Sequence, residues 1–269
     1  MKKSNLFGKT ILALGLIVAI APFSAQANDA ETKGLAIATE WDKRDTGFGD
    51  SEAEMEMVLV NRHGEKSARE MRQKVFEIAD PDIGNKSMTI FDKPRDVKGT
   101  AFLSFAKILE PDDQWLYLPA LKRVKRISSK NKSGPFVGSE FAYEDLSATE
   151  LGKYTYKFLR DEACGDLECH VVEQYPTYED SGYTRMVVWY DKDEFRQQKI
   201  EYYDRKESLL KTLNFSEFKQ YLGKYWRAHQ MDMVNHQTGK KTHLTFKNFE
   251  FQTGLKEDDF NKNSLKRAR

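Results

Sequence analysis

Five histidines, two cysteines and one dense basic run are the residues whose types could carry chemistry in this chain. His63, His170, His229, His236 and His243 lack the convergent spacing of a zinc site. The last three are evenly spaced, but His236 falls at a turn, and His229 and His243 point from different places on the flanking strands. Cys164 and Cys169 occur as Cys-Gly-Asp-Leu-Glu-Cys. That spacing excludes a Cys-x-x-Cys redox pair, and His170 alone does not complete a metal set. In an oxidising compartment the two would pair as a clip across a tight loop, worth roughly 2–3 kcal/mol. No nucleophile elbow, Walker loop, His-Glu-x-x-His or dinucleotide-binding glycine pattern occurs. Glu144 and Asp145 are adjacent, so on a strand they would face opposite sides and form no acid/base pair. These residues predict no enzyme, no metal and no cofactor. Lys122, Arg123, Lys125 and Arg126, with Lys130 and Lys132 close behind, predict a positive patch suited to an anionic headgroup or an acidic partner. The bland alternative is a solvated strand face with Val124 and Ile127 turned inward.

The elements that must position these residues read almost entirely as strands. Residues 31–46 are the one good N-terminal helix, with Leu35, Ile37, Ala38 and Trp41 on an apolar face. Strands are predicted at 55–59, 67–78, 87–91, 100–108, 114–118 and 123–127. The second half continues at 154–160, 168–176, 184–190, 197–203, 209–221, 225–235 and 241–251. A helix is the rival for 67–79, because Ala68–Lys74 are good helix formers; the turn at Asn61–Gly64 and the run Val75-Phe76-Glu77-Ile78 favour a strand. The last two segments form the clearest hairpin, turning at Gln237–Lys240, with Met231 and Met233 sharing a face with Leu244 and Phe246. Residues 128–139 read as a mobile loop, a candidate lid. About eleven antiparallel strands with little helix predict a sheet that curls into a barrel or half-barrel.

Composition sets the compartment and excludes some partners. The chain has 269 residues, with 43 Lys+Arg against 42 Asp+Glu. Residues 1–27 hold Lys2, Lys3 and Lys9 and no acid, so the remaining 242 residues carry 40 bases against 42 acids, a net −2. That balance gives no support to nucleic-acid binding. The basic start, the apolar run Ile11–Ile20, Pro22 and Ala25-Gln26-Ala27 predict a cleaved export signal at 1–27 and a single domain at 28–269. The apolar run is about half the roughly 20 residues that span a bilayer, which disfavours a membrane anchor. The mature protein is therefore expected in the periplasm of a Gram-negative bacterium, as a monomer that meets membranes only peripherally.

The apolar supply is large, with 4 Trp, 17 Phe and 12 Tyr. An antiparallel barrel of this size either encloses a ligand cavity or is filled by its own chain. The segment Trp115-Leu116-Tyr117-Leu118-Pro119-Ala120-Leu121-Lys122-Arg123-Val124-Lys125-Arg126-Ile127 resembles the strand-turn-strand signature of LolA-like proteins. It is most similar to the branch of outer-membrane lipoprotein-sorting proteins. Pro94–Leu103, Phe136–Leu146 and the Thr238-Gly239-Lys240 hairpin fit the same branch, so the resemblance covers about residues 30–265.

That resemblance implies a half-open antiparallel β-barrel of about eleven strands, with helices plugging its concave side. It implies a carrier of lipid or lipoprotein acyl chains, without cofactor or bond chemistry, delivering to an outer-membrane acceptor. Because genes of this branch often neighbour RND-type (MmpL-like) exporters, an inner-membrane exporter is an expected partner. The cavity wall would comprise Met55, Met57, Leu59, Phe102, Trp115, Tyr117, Trp189, Met231, Met233, Leu244 and Phe246, a set that a one-residue slip would exchange for its neighbours. Lys122, Arg123, Lys125 and Arg126 would meet headgroups or partner proteins. The competing class is a periplasmic sensor or interaction domain; a lipid hydrolase comes third.

Overall fold

The computed structural model describes residues 23–80 and 83–268. Most of the expected export signal, residues 1–22, lies outside them. Helix α1 (Phe23–Asp45) is followed by strands β1 (Asp50–Val60), β2 (Lys66–Phe76), β3 (Ile83–Lys93), β4 (Ala101–Lys107), β5 (Asp113–Leu118) and β6 (Arg123–Ile127). After a crossing segment come β7 (Tyr154–Cys164), β8 (Leu167–Pro176), β9 (Tyr183–Asp191), β10 (Gln197–Asp204), β11 (Leu209–Tyr221), β12 (Tyr225–Asn235), β13 (Lys241–Phe251) and helix α2 (Lys262–Arg267). No helix of the described residues is long and apolar enough to cross a membrane.

Thirteen strands, rather than about eleven, form one sheet in the order β6-β5-β4-β3-β2-β1-β13-β12-β11-β10-β9-β8-β7. Each predicted segment is closed by its own turn, so none merges with its neighbour. The β1–β13 pairing joins the two halves of the chain, while the edges β6 and β7 do not meet. The result is a half-open barrel with a concave and a convex face. Residues 66–76 pair with β1 along their whole length, so register overrides the local helix propensity.

Helix α1 lies against β7. Its buried stripe is Gly34, Ile37 and Ala38, continued by half-buried Trp41; Leu35, expected on that face, is 48% exposed. Gly34 sets this rotation: a Cβ there would lie 2.7 Å from the Phe158 backbone nitrogen, so only glycine permits the close approach.

The crossing segment 128–153 is the main departure from expectation. It is no loose lid but a run of short 3-10 turns packed across the concave face. Phe136 and Phe141 are each 1% exposed, and the Phe136 ring lies 5.7 Å from Phe91, 5.3 Å from Phe102 and 5.5 Å from Tyr143. Two buried ion pairs fasten it: Lys211 Nζ to Asp145 Oδ2 at 2.5 Å, and Lys153 to Asp112, with Lys132 Nζ 3.7 Å from the same carboxylate. Burying these charges is tolerated because they are paired and the carboxylates are further hydrogen-bonded: Asp112 accepts from the Lys107 amide (3.1 Å), and Asp145 from the Tyr183 hydroxyl (2.7 Å) and the Ala142 amide (2.6 Å).

Helix α2, which none of the sequence patterns predicts, covers the convex face of β4 and β5 with Leu265, together with Phe260 just before it. Its start was marked by Asn261, whose side chain accepts from the Asn263 and Ser264 amides. Cys164 and Cys169 are disulfide-bonded across the β7–β8 hairpin, with Cα atoms 5.8 Å apart.

Candidate functional site

Side-chain alternation along the central strands builds the site. On β1 the concave-facing residues run Leu59, Met57, Met55, Ala53, Ser51, shrinking and turning polar toward one end. The neighbouring strands follow the same gradient: Met71 to Gln73 on β2, Phe91 through Thr89 to Ser87 on β3, and Phe102 to Ser104 on β4. Small or polar side chains at that end of β1, β3 and β4 leave space that large ones would fill. The outcome is an open cavity of about 590 Å³. That lies within the range of about 300–1,000 Å³ usual for small-molecule sites.

Met55, Met57 and Met71 line one wall with Met231, Leu244 and Phe246 from β12 and β13; Phe136, Phe141 and residues 145–148 of the crossing segment form a second. Trp41 from α1 and Phe195 from the β9–β10 turn form a third. Charged groups stand among the lining residues too, largely in pairs. Arg44 Nη1 lies 3.0 Å from Glu194 Oε2, Arg227 pairs with Asp45, and the Arg196 Nε bonds Asp191 at 2.8 Å. The Arg196 guanidinium also sits 4.7 Å from the Trp226 ring and 5.1 Å from Phe218. None of these pairs forms a nucleophile–base arrangement. Among the described residues no group of three His, Cys, Asp or Glu side chains is brought together to hold a metal. The histidines are engaged singly, as in His170 with Asp161 (2.6 Å) and His229 with the Tyr221 hydroxyl (2.8 Å).

The expected wall residues divide into three groups. Met55, Met57, Met231, Leu244 and Phe246 line the cavity. Leu59, Phe102 and Met233 share the concave core but pack beyond the cavity. Trp115, Tyr117 and Trp189 are corrected: they face the opposite side. Trp115 and Tyr117 pack with Phe260 and Leu265 of the C-terminal region, and Trp189 packs with Cys169 and Val171. Their size marked them as cavity residues, but strand parity turns them outward, where other side chains bury them.

Strict alternation also missed residues. Phe215 and Phe218 both line the cavity although three apart, because Glu217 between them takes a left-handed φ of 56°. On β13 a bulge at Asn248 (φ 49°) inserts one residue against β1, so Phe249 joins Phe246 on the same side with ring centroids 5.2 Å apart. Such a shift leaves only a weak trace in sequence, an Asn among aromatics.

The basic run occupies edge strand β6 and the turn before it. Lys122, Arg123, Lys125 and Arg126 are exposed and outside the cavity lining, and Arg126 pairs with Asp113. Val124 and Ile127 do not turn to one side: Val124 packs on the convex cluster and Ile127 on the concave one, being three residues apart. Glu144 leaves the crossing segment toward the β8–β9 turn, accepting from the Gly182 amide (2.9 Å) and the Ser181 hydroxyl (3.0 Å). Burial pushes its carboxyl up to about 7, and the neighbouring Asp145 charge adds to the rise.

Three solved structures share this architecture. A domain assigned to an outer membrane lipoprotein-sorting protein of Vibrio parahaemolyticus is 59% identical, with a TM-score of 0.86 over 88% of this chain and 100% of its own. A DUF1329 family protein from Desulfovibrio piger is 29% identical, with a TM-score of 0.83 over 88% of this chain and 99% of its own. A LolA superfamily protein from Nitrosomonas europaea is 20% identical, with a TM-score of 0.68 over 86% of this chain and 98% of its own, a likeness of fold. A family model described only as "uncharacterized protein" matches residues 84–267. None of the curated proteins matches the chain. With a half-open sheet, a concave cavity and a 59% identical relative whose whole chain is covered, the chain belongs to the family of that outer-membrane lipoprotein-sorting protein domain and has a LolA-like fold.

Proposed function

We propose that the protein is a periplasmic carrier that shields acyl chains from water in its concave cavity and passes them toward the outer membrane. The observation that carries this reading is the 590 Å³ cavity itself, open and walled by Met55, Met57, Met231, Leu244 and Phe246. Burying hydrocarbon is worth about 0.8 kcal/mol per methylene. A cavity taking up roughly ten methylenes would therefore supply about 8 kcal/mol before the costs of ordering the chain. Methionine suits such a wall because its unbranched side chain adapts to chains of different length. The reading needs no bond chemistry and no cofactor. It supposes that residues 1–27 direct export and are removed, and that the mature chain works as a monomer. Loading by an inner-membrane RND-type exporter and delivery to an outer-membrane acceptor complete the proposal. Lys122, Arg123, Lys125 and Arg126 then serve as the docking face, because β6 is an open sheet edge carrying three exposed cations.

The test is to purify the mature protein from periplasm without detergent, record its native mass, and identify what organic solvent extracts. A stoichiometric lipid or acylated peptide is expected. A protein that emerges empty, and that also fails to take up a fluorescent fatty acid, overturns the carrier reading in favour of a sensor or docking domain.

A further inference from the structure

The cavity is not uniformly apolar, and its polar part is ordered. Successive cross-strand pairs place Ser51, Val75, Ser87, Ser104 and Gln114 in one row across β1 to β5. The adjacent row runs Ala53, Gln73, Thr89, Phe102. Ser51, Gln73, Ser87, Thr89 and Ser104 all line the cavity. Gln73, Thr89, Ser87 and Ser104 form a hydroxyl and amide patch over the two rows of side chains beyond Met55, Met71 and Phe91, with Ser51 across Val75 from Ser87.

Two parts of this patch differ. Ser104 is committed: it meets the Ser147 hydroxyl at 3.2 Å, and the Gln114 amide, which donates to Ser147 (2.8 Å) and to the Tyr143 carbonyl (3.0 Å), reaches Ser104 at 3.4 Å. The side chains of Ser51, Gln73, Ser87 and Thr89 make no hydrogen bond within the described protein and border the cavity, so their polar atoms are open to an occupant; among the described residues the buried partnerless side-chain atoms are Gln114 Oε1 and Trp226 Nε1 instead. A hydroxyl or amide covered by hydrocarbon loses its water without gaining a partner, so a wall serving hydrocarbon alone would gain from alanine or valine at these positions. No charged side chain belongs to the patch; the charged groups lining the cavity are drawn from α1, the crossing segment, the β9–β10 turn and β12 with the turn before it.

We infer that this patch receives the neutral hydrogen-bonding head of an amphiphile, a hydroxyl- and ester-bearing glyceryl group, while its acyl chain lies against the methionine and phenylalanine wall. The inference rests on the carrier reading and deepens it: the cargo enters with its head–chain junction inside the cavity rather than as a bare chain. The Thr89 and Ser87 hydroxyls and the Gln73 amide would both donate and accept, which suits hydroxyl and ester oxygens and gives no counter-charge for a carboxylate.

The test compares 1-monopalmitoylglycerol with methyl palmitate, which share the same acyl chain and differ in the glyceryl hydroxyls. Affinities are measured by displacement of a fluorescent fatty acid from wild type, from the double variant Thr89→Val/Ser87→Ala, and from Gln73→Met. Thermal melts confirm that each variant folds. With each net hydrogen bond worth a factor of about two to ten, wild type is expected to prefer the glyceride at least fivefold, and the variants to bring the two within about twofold while keeping methyl palmitate binding. A diacylated, S-glyceryl lipopeptide run in parallel separates the sources. Equal loss for lipopeptide and glyceride assigns the patch to the shared glyceryl chemistry, and loss for the lipopeptide alone assigns it to lipoproteins. Wild type that binds both palmitate esters equally overturns the inference and leaves the carrier standing. Wild type that binds neither overturns the carrier itself.

Discussion

Across β3 to β5 the concave face is roofed by Phe136, Phe141 and Tyr143, whereas across β12, β13 and β1 side chains of the same character, Met231, Leu244, Phe246 and Met55, face open space. On the convex side of β4 and β5, Trp115 and Leu103 are again covered, this time by Phe260 and Leu265. Apolarity alone therefore does not distinguish wall from core. The difference is whether another part of the chain is anchored over it, and the anchors of the concave roof are ionic. A cavity persists where the roof ends, because the interior is too wide for the remaining side chains to close it.

This contrast can be broken first at the anchor. Removing one partner of a buried ion pair leaves the other charge uncompensated, so Asp145→Ala is expected to cost about 3–5 kcal/mol, read from denaturant unfolding. A loss below about 1 kcal/mol would show that aromatic packing alone holds the roof. Next, Trp115→Ala on the covered convex face should cost about 3 kcal/mol of stability and leave ligand uptake unchanged. Reduced uptake in a folded Trp115→Ala protein would return that residue to the cavity. Met231→Asp should show the reverse pattern: it places a charge on the open wall, so uptake of a fluorescent fatty acid is expected to fall about tenfold with only a minor change in melting temperature.

The smallest effect concerns the roof's titration. Glu144 rises from its usual 4.5 to about 7, so between those values the folded protein holds a proton that the unfolded chain has released. Its contribution is complete below about pH 4.5 and is lost as pH rises through about 7. Allowing for partial exposure, Glu144→Gln should flatten the stability–pH slope across that window by about 1 kcal/mol. An unchanged slope would mean that this carboxyl does not titrate there.

Much of this molecule was legible residue by residue. Every predicted strand is present, because period-two patterning and turn residues are local signals. The Cys164–Cys169 clip follows from spacing, and Met55, Met57, Met231, Leu244 and Phe246 from parity within a hairpin register. Trp115, Tyr117 and Trp189 were misplaced because local alternation states which residues share a face but not which face is concave. Phe218 and Phe249 were missed because positive φ angles at Glu217 and Asn248 re-phase their strands. The polar patch was invisible for a related reason: Ser51, Gln73, Ser87 and Ser104 are unremarkable on separate strands and become one surface only through register.

The sequence by itself determined the elements, their amphipathic faces and the family, since these depend on residue type and short-range spacing. Tertiary structure alone decided which apolar face was roofed and which stayed open. That choice rests on long-range contacts, Lys211 to Asp145, Lys153 to Asp112 and α2 on β4 and β5, between residues far apart in the chain.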